Sequence, residues 1–263
     1  MPQRAKLRLS LTLGLALGVT PFLGACGGPK EPPLTAPRKI VAPYDVSRGE
    51  VLWAVVPLRN ESGTSLVDIG AVSDKVVAAA EEVEGVRCVP LNRTIQAMNV
   101  LGYTSLRSPA EARSLAQAMG VDGVLVGSVT AYDPYVPTLG LALALYARPG
   151  SMAPGREPLD PRTLATKGTD APAMTWSRDE GPVAVISQHL DAKNHQVQMD
   201  VRSFAQGRLK GPTALGWRRY LASMDLYCEF GAYHAVDELI QQEWVRLPGA
   251  GQTEKRSAEA PER

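Results

Sequence analysis

Between Val121 and Tyr135 the chain reads VDGVLVGSVTAYDPY. Val121, Val124, Leu125, Val126, Val129 and Ala131 leave no side of this run for water. A strand with one wet face alternates polar and apolar residues, whereas a strand covered on both faces does not. The pattern predicts a central strand, and such a strand obliges the chain to supply a layer above it and a layer below. Immediately upstream, Ser108-Pro109-Ala110-Glu111 is a capping box with proline at the first helical position, and Gly120 closes the helix that follows. GEVLWAVVPL (Gly49 to Leu58) and GVRCVPL (Gly85 to Leu91) are two further apolar runs of strand length. Ile69, Val72, Val76, Val77, Ala80 and Val83 lie between them at helical spacing. Strand-helix-strand-helix-strand predicts an α/β fold, a single mixed-sheet domain flanked by helices.

Further along, Asn92 or Thr94 can cap a short helix through Ile95, Met98 and Leu101. In Leu139 to Ala147 the leucines 139, 141, 143 and 145 share one face of a strand, with Gly140, Ala142, Ala144 and Tyr146 on the other. Residues 148–182 lose periodicity and collect prolines, an insertion longer than a compact domain usually tolerates. A short strand, Val183 to Gln188, rejoins the sheet. Asp191 can cap a helix through Val197, Val201 and Phe204. Trp217, Tyr220 and Leu221 begin a helical segment that Ser223 interrupts and recaps. From Met224 to Leu247 two apolar stripes, one through Tyr227, Cys228 and Leu239 and one through Phe230, Val236 and Ile240, predict a long helix buried on two sides. The domain is therefore expected over residues 49–248. Residues 249–263, with no large apolar side chain, are expected to form a disordered tail.

The amino terminus has a different logic. Arg4, Lys6 and Arg8 precede an apolar run from Leu9 to Val19, and Leu23-Gly24-Ala25-Cys26 follows. A charged n-region, a short h-region and small residues before a cleavage point make residues 1–25 a signal peptide, with an h-region too short to span a bilayer. The tetrad resembles the lipobox of bacterial lipoproteins. That resemblance implies cleavage after Ala25 and lipidation of Cys26, and Gly27 in place of aspartate implies an outer-membrane anchor with the domain in the periplasm. Residues 26–48 are proline-rich and read as a tether reaching ~70 Å at ~3.1 Å per residue. Beyond the signal the chain has 25 basic and 27 acidic residues, net −2, which gives no footprint for nucleic acid.

No motif for chemistry emerges. His189, His195 and His234 lack metal-ligand spacing. Ser128 lies in Val-Gly-Ser-Val-Thr, not a nucleophile elbow, and Asp122-Gly123 reads as a turn. No phosphate-binding glycine loop occurs, so neither a cofactor nor a metal is expected. Cys88 and Cys228 can pair in an oxidising periplasm or stay as buried thiols; each falls on an apolar face, which favours thiols.

Val55-Val56-Pro57-Leu58 with Asn60, Ser62 and Gly63, the helix bearing Ser73-Asp74, Asn92-Arg93, and AQAMGVD (Ala116 to Asp122) leading into VLVGSVTAY (Val124 to Tyr132) together resemble one α/β domain. It is the domain shared by curli-type secretion lipoproteins, the amino-terminal domain of TolB and the lipoprotein activators of penicillin-binding proteins. The resemblance covers Gly49 to Asp133 and implies the fold and a cell-envelope setting. With it, the expectation is a non-enzymatic binding or assembly adaptor, held to the membrane through Cys26 and meeting an envelope protein, with homo-oligomerisation open. The alternative is a subunit of a curli-type outer-membrane secretion pore, since Leu139 to Ala147 approaches the ~9–11 residues of a tilted membrane strand. A barrel strand needs a returning partner and a polar lumen. Residues 148–182 offer no second alternating run, and Gly140, Ala142 and Ala144 offer no polar face.

Overall fold

The computed structural model describes residues 37–46, 49–148, 151–152, 181–209 and 214–247. Its centre is a six-stranded mixed sheet in the order β5-β2-β6-β7-β8, with β3 added beside β6 beyond the end of β2. The strands are β2 (Val51–Val55), β3 (Arg59–Asn60), β5 (Val86–Val89), β6 (Gly123–Asp133), β7 (Thr138–Ala147) and β8 (Ala184–Asp191). β5, β2, β3 and β6 run parallel, and β7 and β8 are antiparallel additions. A separate two-residue parallel pairing joins β1 (Ile40–Val41) to β4 (Val83–Glu84). The helices are α1 (Ile69–Glu81), α2 (Leu91–Val100), α3 (Pro109–Met119), α4 (His195–Ala205), α5 (Arg219–Ala222) and the long α6 (Met224–Arg246).

The two layers differ in depth. α1, α4, α5 and α6 cover one face, where Trp53, Val55, Leu125, Leu139, Leu141, Leu143, Leu145 and Ile186 form the main core. α2 and α3 cover part of the other face, over β2, the start of β6 and the end of β7, around Ala54, Val56, Val124 and Leu115, with Tyr146 packed against them. The odd-numbered leucines of β7 are all buried, each burial contributing ~1.5–3 kcal/mol. The two-sided burial expected of the central strand holds for its first three residues, Gly123 to Leu125; Val126 and Gly127 are half-buried and Thr130 is exposed.

Local signals explain the helix ends. The Ser108 side chain accepts from the Glu111 backbone N–H, Pro109 stands in the first turn, and Gly120 ends α3 in the left-handed conformation, φ +68°. Ser73 is buried on α1 yet satisfied: its hydroxyl accepts from Leu58 N at 3.0 Å and donates to Ile69 O at 2.6 Å. α2 starts at Leu91, directly after Pro90 and with no side-chain cap. Neither Asn92 nor Thr94 is its cap, and Thr94 is buried inside it with an unpartnered hydroxyl.

Other expectations need correction. β8 is eight residues long and pairs along most of β7, because Asp191 ends the strand in a turn, accepting from Lys193 N. Asn194 is the cap of α4, accepting from Gln196 N. Val83 leaves the α1 stripe to pair with Ile40 in the lead, residues 37–46 ahead of β2, and Gly85 at φ +92° turns the chain into β5. Ser223 breaks the C-terminal helices in an extended conformation but makes no capping hydrogen bond. The largest difference lies before β2. Ile40, Ala42 and Tyr44 are buried, so residues 38–44, read as part of the tether, are folded onto the domain.

Candidate functional site

The lead, the base of the insertion and the last turn of α6 meet at one carboxylate. Glu243 stands three and four residues after Ile240 and Leu239 on the apolar stripe of α6, so the helix turns it inward, and it is fully buried. Its Oε2 accepts from the Tyr44 hydroxyl at 3.1 Å. Arg246, one turn later, donates to both carboxylate oxygens, Nε to Oε1 at 2.7 Å and Nη2 to Oε2 at 2.5 Å. The same Nη2 donates to the carbonyl of Met152 at 3.1 Å. A buried carboxylate is tolerated only when so partnered, and the forked guanidinium geometry is the strongest partner available. Burial first, and the Glu243 charge second, push the Tyr44 phenol above its ordinary range, so Tyr44 remains a hydrogen-bond donor.

Further contacts fasten the lead along α6. Trp244 Nε1 donates to Val41 O at 2.9 Å, Tyr233 OH donates to Arg38 O at 3.1 Å, and Arg38 pairs with Asp237 at 3.3 Å. Tyr44 also meets Trp53 edge to face, centroids 6.3 Å apart.

A second carboxylate pins the base of the insertion. Asp122, just before β6, accepts from Leu52 N at 3.0 Å and from Arg148 Nη2 at 2.6 Å. Its carbonyl accepts from Arg148 N and from Ser151 Oγ, both at 2.8 Å. The insertion thus leaves the sheet through a hydrogen-bonded corner.

A cleft of about 160 Å³ lies between α1, α6 and β6, lined by Asp68, Ala71, Val72, Lys75, Tyr132, Asp225 and Cys228. Ligand pockets run ~300–1,000 Å³, and Lys75 is already paired with Asp225 at 3.1 Å.

The residues singled out from sequence are spread apart. Leu23, Gly24, Ala25 and Cys26 lie outside the described residues. Ser128 is buried in β6 opposite Ala142. His234 Nδ1 is 2.7 Å from Gln188 Oε1, while His189 and His195 are exposed at separate places. Cys88 and Cys228 are free and buried; burial first, and then Glu81 and Asp225 respectively, push each thiol up to about 12. Among the described residues no group of three or more His, Cys, Asp and Glu side chains could hold a metal. Sequence reasoning missed Glu243, and it read Asp122 only as part of a turn. The signal for Glu243 was a carboxylate on an apolar helical stripe with arginine three residues on; for Asp122 only its place before a buried strand was visible.

Comparison with protein-family models and with curated proteins gives no match. Among solved structures, the lipoprotein GNA1162 from Neisseria meningitidis is similar at 18% identity and a TM-score of 0.36, over 57% of this chain and 91% of that one. The LpoB C-terminal domain from Escherichia coli is similar at 22% identity and a TM-score of 0.29, over 36% of this chain and 71% of that one. The protein CT253 from Chlamydia trachomatis is similar at 9% identity and a TM-score of 0.35, over 73% of this chain and 98% of that one. With TM-scores all below 0.5, what the protein does has to be argued from its own residues.

Proposed function

We propose that the protein is a lipid-anchored envelope lipoprotein whose α/β domain works as a non-enzymatic binding or assembly adaptor in the periplasm, with Cys26 as the acylated mature terminus at the outer membrane. The observation that carries this reading is the fastening of the lead to α6 by Tyr44, Trp244 and Tyr233. Tied to a rigid element, the lead fixes where the chain toward Cys26 leaves the domain. That tie also shortens the free tether: ten residues separate Cys26 from Pro37, at most ~40 Å of extended chain. The adaptor would then work close to the bilayer.

The groups best suited to chemistry are engaged in structure, which supports the non-enzymatic part. Asp122 and Glu243 are engaged by arginine, backbone and tyrosine donors, and burial raises both thiols. The pore reading draws on one feature: the insertion joins two adjacent antiparallel strands, so its ends leave side by side as a hairpin extension would. Pro154, Pro158, Pro161 and Pro172 in that segment would break a ladder.

Oligomeric state in mild detergent, combined with trypsin treatment of cells, tests this. The adaptor reading expects a small assembly, and cleavage at Arg156, Arg162, Lys167 or Arg178 once the outer membrane is permeabilised. A ring of many subunits, with these sites still protected by membrane after permeabilisation, would support the pore instead.

A further inference from the structure

Three observations at the Glu243 joint each describe a cost that a purely static clamp would not be expected to keep. Trp53 Nε1 is buried with no hydrogen-bond partner; its ring meets Tyr44 edge to face, and Nε1 and Met152 Sδ would lie 3.1 and 3.0 Å from a Cβ placed on Gly123. An orphaned buried donor costs ~1–3 kcal/mol, recovered when water reaches it. Met152 has φ +53°, a left-handed conformation, although it is neither glycine nor asparagine and is only 4% exposed. Such a backbone persists only where its surroundings over-determine it, and it gathers at switching segments. Here the Arg246 hydrogen bond to its carbonyl and the burial of its side chain supply that constraint. Glu243 itself is a fully buried charge whose donors come from two separate segments: Tyr44 belongs to the lead, and Arg246 spans from the carboxylate to the insertion base.

We infer that the lead is a releasable strap and that its release is coupled, through Glu243 and Arg246, to loosening of the insertion base at Ser151–Met152. When Tyr44 leaves, Glu243 loses one of its two side-chain partners and water enters beside Trp53. The buried ion pair is then rehydrated, and Arg246 no longer has a fixed carboxylate to hold its fork against Met152 O. Met152 then keeps only the burial of its side chain and the neighbouring Ser151–Asp122 corner against its left-handed conformation, so the base loosens. The reverse must hold with the same coupling, because linkage between two equilibria is reciprocal. If the anchor proposed above exists, release also lengthens the free tether to residues 27–48, ~70 Å of proline-rich chain. The coupling does not depend on that anchor.

Hydrogen exchange followed by mass spectrometry on the full chain tests the inference. Tyr44→Phe keeps the ring and removes the hydroxyl donor. Peptides covering 37–46 and 148–152 should both exchange about five- to tenfold faster, the range of a coupling of ~1–1.4 kcal/mol, while α3 (109–119) is unchanged. Met152→Ala, made from the other side, should accelerate exchange in 37–46 by a similar factor. Arg246→Lys, which keeps the charge and loses the fork, should loosen both segments and serves if either other variant folds poorly. Faster exchange confined to the substituted segment in each variant would overturn the coupling. So would loosening of the whole domain to the same extent.

Discussion

Removing one partner from a buried ion pair is not equivalent to removing the other, and Glu243–Arg246 makes the difference measurable. The Arg246 side chain is 32% exposed and Glu243 is not exposed at all. Arg246→Met strands a buried carboxylate with a single phenol donor and should cost ~3–5 kcal/mol. Glu243→Gln keeps an acceptor for Tyr44 and lets the guanidinium turn to water, so ~1–2 kcal/mol is expected. Urea denaturation midpoints of the two variants should fall in that order. The cysteines give a second residue-scale prediction. Both thiols are pushed up to about 12 in the folded state, above the ~8.5 of an unfolded cysteine. A raised folded value means the folded state holds the proton more tightly. The stability this provides is complete below about pH 8.5 and is lost as pH rises toward 12. Burial shifts Tyr44 and Tyr227 in the same direction. Stability should therefore decline steadily above pH 9, and at pH 8 iodoacetamide should label neither Cys88 nor Cys228 until denaturant is added without reductant. Labelling that also needs reductant would show a disulfide.

At the scale of elements, β6 and β7 approach so closely that glycine is required between them. A Cβ on Gly127 would run into the backbone carbonyl of Ala142 and lie 2.5 Å from Leu143 Cδ2. Backbone cannot step aside as a side chain can, so Gly127→Ala should destabilise by ~1–3 kcal/mol, although alanine in a strand interior is ordinarily the better residue. An unchanged thermal midpoint would contradict this register. The free sheet edges are also managed. Glu81 accepts from the Cys88 N–H at 2.6 Å on β5, and Gln242 accepts from Val185 N at 3.0 Å on β8, which removes donors that could template pairing with another chain. The elements most legible in the sequence were those with a clear pattern or caps: α3 between Ser108 and Gly120, β6 with its nearly continuous apolar run, and β7 with its alternating leucines. Those misread depended on partners remote in sequence. Val83 looks helical until β1 pairs with it, and β8 looks short until β7 supplies eight residues of ladder. Thr94 reads as a cap although α2 begins after Pro90 without one.

For the whole molecule, the α/β class and the helical layers flanking the sheet follow from the strand-helix alternation, whereas the strand order and the joint at Glu243 do not. That joint gathers residues 44, 152, 243 and 246, and no local pattern announces that such distant positions meet. Under the proposed function that joint ties a short tether to a rigid domain, with the lipid proposed on Cys26 at its far end. The direct test is the intact mass of the mature protein extracted from bacterial membranes, compared with the Cys26→Ser variant. The account predicts a chain beginning at Cys26 and carrying the mass of acyl chains, while the variant is released or left unprocessed. A chain that retains Met1, or one with an unacylated terminus whose partitioning into detergent is unaffected by Cys26→Ser, would contradict it.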